Sequence, residues 1–337
     1  MRKTNTVPAE RPEEGSALDR ILTLELVRVT ERTALAAARL RGRGDEIAAD
    51  RLAVEAMHRE LMKLPFSGTV VIGEGERSGT DRLFLGEKIG AGREPSVDVA
   101  ALPLEGTTIC AKDLPNSLSL LAIAEAGSLL ETPDVYMEKI AIGPGHAEGL
   151  VDLDRSPADN LAALARSKGV PIDEITVCIL DRPRHTRLIE EVRATGAALR
   201  LIGDGDVAGV IHTTEPEETG VDIYLGSGGA HEGILAACAL RCIGGQMQSR
   251  LILDRPDKLR RAHELGITDP RRVYRLEEMV RGDVLFAATG ITDGSLLQGV
   301  RFRGDRAETH TVVMRASTGT VRWMNTRYRV GEKGIVL

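Results

Sequence analysis

Carboxylates placed at the ends of short apolar runs are the residues of this chain best suited to chemistry. Thr69-Val-Val-Ile72 runs into Gly73-Glu74-Gly-Glu76, and Val97-Asp-Val-Ala-Ala-Leu102 runs into Pro103-Leu104-Glu105-Gly106-Thr107-Thr108. Both apolar runs read as strands, each delivering an acid and glycines at its end. Glycine there permits tight turns and close approach of backbone to a ligand. Acidic side chains at strand ends with few basic neighbours suit hard cations such as Mg2+, which take oxygen ligands and share them with phosphates. Two solvated acidic turns are the competing reading, because Glu-Gly pairs are common in turns.

Further candidates lie at later strand ends. Arg182 and Arg184 follow the strand-like segment Ile175 to Leu180, where guanidinium groups can hold phosphate in a bidentate way, or simply form a solvated basic turn. Asp204 and Asp206 follow Leu199 to Ile202, placed to accept hydrogen bonds from sugar hydroxyls. Gly229 and Glu232 follow Val221 to Leu225. The run Gly226-Ser-Gly-Gly229 lacks the G-x-G-x-x-G spacing and follows a late strand, which excludes a Rossmann dehydrogenase.

Gly73-Glu-Gly-Glu76 followed by Pro103-x-Glu-Gly-Thr107 resembles the class II fructose-1,6-bisphosphatase family, within the lithium-sensitive, metal-dependent sugar phosphatase superfamily. The similarity continues through Val27-Arg-Val-Thr-Glu31, Gly42-Arg-Gly-Asp45, Asp134-Val-Tyr-Met-Glu-Lys139, Asp181-Arg-Pro-Arg-His185, Asp204-Gly-Asp206, Gly228-Gly-Ala-His-Glu232 and Phe286 to Asp293. It implies an α/β fold of alternating helix and sheet layers and hydrolysis of the 1-phosphate of fructose 1,6-bisphosphate, with sedoheptulose 1,7-bisphosphate as a second substrate in some relatives.

The resemblance also implies roles. Asp50, Glu74, Glu105 and Glu232 become ligands of Mg2+ or Mn2+, with the Leu104 carbonyl as a further oxygen. Glu74 and Thr107 become catalytic, orienting the attacking water. Glu105, Gly106, Thr107, Tyr136, Arg182, Arg184, Asp204, Asp206 and Gly229 become substrate contacts. Two departures stand out. The family pattern Asp-Pro-x-Glu-Gly-Thr has Leu102 at its Asp, a metal ligand in the superfamily, and Ser78 stands where many members carry an acid. Leu102 therefore motivates a second expectation, a catalytically inactive relative that binds a sugar phosphate or serves as a regulatory or partner subunit. Asp81 is a substitute ligand to test against the fold. His231, where relatives carry proline, reads as a spectator more readily than as an extra ligand.

The elements that must position these residues follow from periodicity. Residues 17 to about 41 read as a helix stopped by Gly42 and Gly44, and Asp45 caps a second helix with Ile47, Val54, Met57 and Leu61 as its apolar positions. Asp50 lies in its first turns, where an acid is also compatible with the helix dipole. Ser117 to Gly127 and Val135 to Ile142 read as paired strands, with Tyr136 either on substrate or in the core. Beyond residue 150 strand and helix alternate, which predicts parallel α/β organisation, and Ser156-Pro157 opens a helix. Thr309 to Met314 and Thr320 to Tyr328 read as a structural hairpin. The expected division is a flexible tail over 1–15, a metal-binding α+β domain over 16–150, and an α/β substrate-binding domain over 151–337.

Composition sets the frame. The chain has 337 residues, 42% hydrophobic and 28% charged, the mix of a globular protein with a sizeable core. A net charge of −6 argues against nucleic-acid or anionic-membrane partners. The four cysteines show no Cys-x-x-Cys spacing, and Cys238 and Cys242 share one helix face as core residues. The first residues lack a secretory apolar segment and no run reaches membrane-span length, so a cytoplasmic protein is expected; the family resemblance implies a homo-oligomer, dimer or tetramer.

Overall fold

The computed structural model describes residue 18 and residues 22–74 and 81–331. The expected tail over 1–15, Glu76 and Ser78 lie outside the described residues.

The elements run in chain order as follows. Helices α1 (Leu22–Ala37) and α2 (Glu46–Leu61) precede strands β1 (Ser67–Ile72), β2 (Lys88–Ile89) and β3 (Ser96–Glu105). Short α3 (Thr107–Ala111), β4 (Leu118–Glu125) and β5 (Tyr136–Ile142) follow. Then come α4 (Pro157–Lys168), β6 (Thr176–Leu180), α5 (Thr186–Ala194), β7 (Ala198–Ile202), α6 (Asp206–Ile211) and α7 (Pro216–Thr219). Next are β8 (Ile223–Gly229), α8 (Ala230–Ile243), β9 (Gln246–Leu251), α9 (Pro256–Glu264), β10 (Tyr274–Arg275) and α10 (Leu276–Met279). The chain closes with β11 (Val284–Gly290), β12 (Arg301–Arg303), β13 (Arg306–Arg315) and β14 (Thr320–Arg329).

Two mixed sheets organise these elements. The first has the order β12-β13-β11-β4-β3-β1-β2, with β14 on β13; the second runs β10-β9-β5-β8-β6-β7. Side-chain alternation along β3 shows how the layers form. Val97, Val99 and Ala101 pack with α1 and α2, whereas Ala100 and Leu102 turn to the opposite face, against α8. The far face of α8 and α6 meets Met137, Ala141 and Tyr224 of the second sheet, whose outer face is covered by α4 and α5. The result is five layers, helix–sheet–helix–sheet–helix, as the fold expectation has it.

Several local expectations hold for their stated reasons. The Asp45 side chain accepts from the Ala48 backbone N–H at 2.9 Å and starts α2. Ser156 caps α4 in the same way, with Pro157 behind it. Cys238 and Cys242 are buried free thiols in α8. The β13–β14 hairpin is a ten-residue antiparallel pair, and Thr309 and Tyr328 from its two strands donate hydrogen bonds to the buried Glu31 carboxylate of α1.

Three expectations are corrected. Strands β4 and β5 do not pair: β4 lies between β3 and β11, and β5 between β8 and β9 of the other sheet. Two consecutive apolar runs look like a hairpin, but each is apolar because both of its faces are covered. The second sheet is mixed, since β6, β7 and β8 run parallel while β5 lies antiparallel to both of its neighbours, β8 and β9. The sheets interleave along the chain: β5 joins the second sheet, and β11 to β14 return to the first. Finally, Ile47 is 69% exposed, not a buried position of α2.

Candidate active site

The interleaving brings distant strand ends to one place. A cleft of about 420 Å³ opens where α2, the end of β3, α3 and the carboxyl ends of β6, β7 and β8 converge. Asp50, Glu74, Glu105, Gly106, Thr107, Tyr136, Arg182, Arg184, Asp204, Asp206, Gly229 and Glu232 all line it. Every site residue expected from the sequence thus shares one cavity. Leu102, Leu104 and the exposed Ile47 line it too, and Asp81 and His231 do not. Asp81 is exposed and His231 reaches the Thr132 carbonyl at 3.3 Å, which fits a spectator role.

One wall is acidic. Asp50 stands on α2 and Glu74 follows β1, both buried. Between Leu102 and Glu105 the β3–β4 register shifts at a bulge, after which Glu105 pairs with Leu118 as the strand ends. Gly106 then turns at φ 76°, a left-handed conformation that favours glycine, and starts α3. Thr108 of α3 donates to Glu46 of α2 at 2.9 Å, tying the two helices beside the cleft. Glu232 opens α8 and folds over Gly229, where an added Cβ would lie 1.8 Å from its Oε2.

Electrostatics set this wall apart. Glu105 is 5% exposed, and its Oε2 has no hydrogen-bond partner. Burial pushes its carboxyl well above the usual range, the charges of Asp206, Glu232 and Asp204 push it further, and Lys139 partly opposes them. Among the described residues no group of three or more His, Cys, Asp or Glu side chains is gathered into a ready metal cage. The donor set nevertheless fits a hard divalent cation: all its ligands are oxygens, one buried oxygen is unsatisfied, and the acids repel one another. Leu102 interrupts the set. It is 6% exposed and belongs to the central core, so an apolar side chain seals the cleft wall there.

The opposite wall is basic and hydrogen-bonded. Tyr136 is 44% exposed, which rules out the core alternative, and the Arg184 guanidinium lies 4.8 Å over its ring. Arg184 also donates to the Ser227 carbonyl at 2.8 Å. Arg182 lies 3.7 Å from Asp204.

On the cleft floor, Asp206 is only 5% exposed and forms an ion pair with Lys139, which commits one of its oxygens to the lysine. Gly228 admits this pair, since a Cβ there would meet Asp206 Oδ2 at 2.1 Å. Lys139 and His185 do not line the cleft but stand behind it, and the sequence alone points to no role for them. The signal for Lys139 is its strand parity: Met137 and Ala141 of β5 face the core, so Lys139 between them does too, and a buried ammonium requires a partner.

Comparison with known proteins agrees over nearly the whole length. The family model described as bacterial fructose-1,6-bisphosphatase, glpX-encoded, matches residues 20–328. The chain is 41% identical over 334 residues to the D-fructose 1,6-bisphosphatase class 2/sedoheptulose 1,7-bisphosphatase of Synechococcus elongatus, covering 92% of this chain and 96% of that protein. A protein of the same description from another Synechococcus species is 41% identical over 335 residues, with the same coverage. Among solved structures, the extragenic suppressor protein suhB of Bartonella henselae aligns at 15% identity with a TM-score of 0.33, over 58% of this chain and 74% of that one.

Proposed function

Because the chain belongs to the bacterial, glpX-encoded fructose-1,6-bisphosphatase family, we propose that it is a metal-dependent phosphatase that hydrolyses the 1-phosphate of fructose 1,6-bisphosphate. The products are fructose 6-phosphate and phosphate, and sedoheptulose 1,7-bisphosphate is the second substrate to try. The observation that carries this reading is the facing of two walls across one cleft, repelling carboxylates on one side and arginines on the other.

In this reading Asp50, Glu74, Glu105 and Glu232, with the Leu104 carbonyl, hold Mg2+ or Mn2+. Bound there, the cation supplies Lewis-acid polarisation of the phosphoryl oxygens and neutralises charge that develops during transfer. The Glu74 carboxylate accepts a hydrogen bond from the attacking water, and the Thr107 hydroxyl fixes the water's direction. Arg182 and Arg184 anchor the distal phosphate, with the Tyr136 ring backing Arg184. Asp204 and the remaining Asp206 oxygen accept from sugar hydroxyls, and Gly106 and Gly229 let the sugar phosphate approach the backbone. A cytoplasmic homo-oligomer, dimer or tetramer, without nucleic-acid or membrane partners completes the proposal.

A second reading is favoured by Leu102 alone: an inactive relative that binds a sugar phosphate or acts as a partner subunit. Phosphate release from fructose 1,6-bisphosphate with Mg2+ or Mn2+ separates the two when the native chain is compared with Leu102→Asp. Native turnover matching the variant supports a working enzyme. Turnover only after restoring the acid supports the inactive relative.

A further inference from the structure

Arg184 sits at the rim of the cleft, on a short 3-10 turn (Pro183–His185). A long side chain in such a place ordinarily samples many rotamers. Here it is held. Its Nε donates to the Ser227 hydroxyl at 3.2 Å, and Nε and Nη2 donate to the Ser227 carbonyl at 3.2 and 2.8 Å. Ser227 is in turn fixed by the next residue along from Arg184: the Ser227 backbone N–H donates to His185 Nε2 at 2.8 Å, and the Ser227 hydroxyl lies 3.0 Å from the same nitrogen.

These contacts determine the tautomer. An Nε2 that accepts a backbone N–H carries no proton, so the proton is on Nδ1, which donates to the Leu180 carbonyl at the end of β6 at 2.8 Å. The Ser227 hydroxyl, beside the same nitrogen, accepts from Arg184. The ring is buried, and burial first, then the nearby Arg184 and Arg182, lowers its pKa from the ordinary value against the opposing pull of the Leu180 carbonyl and Asp206. Gly226 completes the fit, since a Cβ there would come within 3.2 Å of the imidazole.

We propose that His185 is a positioning residue for the substrate-phosphate anchor: through Ser227 it holds the Arg184 guanidinium against Tyr136, so that the arginine meets a phosphate without paying for its own ordering. His185 touches no substrate itself. The ordered guanidinium selects substrates that carry a phosphate distal to the scissile one, and this selection rests on the phosphatase reading above.

The two hydrogen bonds of the imidazole can be removed separately. His185→Asn retains a donor near Nδ1 for Leu180 and loses the acceptor at Nε2; His185→Gln retains an acceptor near Nε2 and loses the donor. Binding of fructose 6-phosphate to the full chain, measured by calorimetry, is expected to weaken about tenfold in His185→Asn and to stay within about threefold of native in His185→Gln. In turnover, the same contrast is expected in KM for fructose 1,6-bisphosphate and not in kcat. Melting temperatures of both variants are recorded alongside. If binding follows the melting temperatures, or the two variants bind equally well, His185 is a structural residue and the proposal fails. If the native chain binds fructose 6-phosphate with the expected variant contrast but releases no phosphate, the proposal stands and the enzymatic reading falls. If the native chain binds no fructose 6-phosphate, the anchor itself is wrong.

Discussion

The two walls of the cleft solve opposite problems. On the basic wall the charges are settled before any ligand arrives: Arg184 has Ser227 and Tyr136, and Arg182 lies near Asp204. On the acidic wall Glu105 is buried with an unsatisfied oxygen, and the surrounding acids raise the free energy of its charged form. A preorganised wall lowers the ordering cost of binding. A frustrated wall is the opposite device: its repulsion is relieved by a proton or, in the proposed function, by a cation, whose binding then returns energy stored by folding. In the proposed function, recognition and catalysis are thereby divided between regions with different electrostatic states.

The sharpest way to break this contrast is Glu105→Gln, which keeps shape and removes charge. Phosphate release is expected to fall at least about 100-fold, while the melting temperature in chelator rises because Asp206, Glu232 and Asp204 no longer face a fourth carboxylate. A lower melting temperature in chelator would show that the charge carries no cost. Leu102→Asp pushes the same wall the other way. A carboxylate replacing a core leucine should destabilise the metal-free protein by about 2–4 kcal/mol. Mg2+ at about a hundredfold over its Kd should return about 2–3 kcal/mol. Thermal unfolding with and without Mg2+ reads both numbers, and an absent Mg2+ response would place residue 102 outside the metal's reach.

The difference between the walls also explains what the sequence could reveal. Acids and glycines at strand ends are local features, so Glu74, Glu105, Asp204 and Glu232 were visible as candidates before the fold. Lys139 was recoverable as well, through its inward parity in β5 between Met137 and Ala141. That its partner is Asp206, itself a candidate, was not legible, because the pairing depends on α6 entering the layer between the sheets. The hairpin expected for β4 and β5 failed for a related reason, since local apolarity reports covered faces and not the neighbour in the sheet. Ile47 shows the limit from the other side: helical spacing alone would place it inward, yet it lies exposed at the cleft.

Smaller effects test the settled wall. Arg184→Lys keeps the charge but loses the planar donor fork and the stacking on Tyr136, so KM for the bisphosphate should rise about tenfold with kcat nearly unchanged. The smallest effect is in the acid stability of the protein. The folded-state pKa of His185 lies below the ordinary 6.5, because burial and then Arg184 and Arg182 disfavour its cation while the Leu180 carbonyl and Asp206 favour it. Between that folded pKa and 6.5 the unfolded chain binds more protons, so stability rises with pH there. The contribution is complete above the unfolded value and is lost as pH falls through the folded one. His185→Gln, which cannot titrate, should therefore flatten the decline in unfolding free energy below pH 6.5 that the native protein shows in urea titrations. Parallel native and variant curves would mean that His185 gains its proton without opposing the fold, and the basic wall would not depend on a neutral ring.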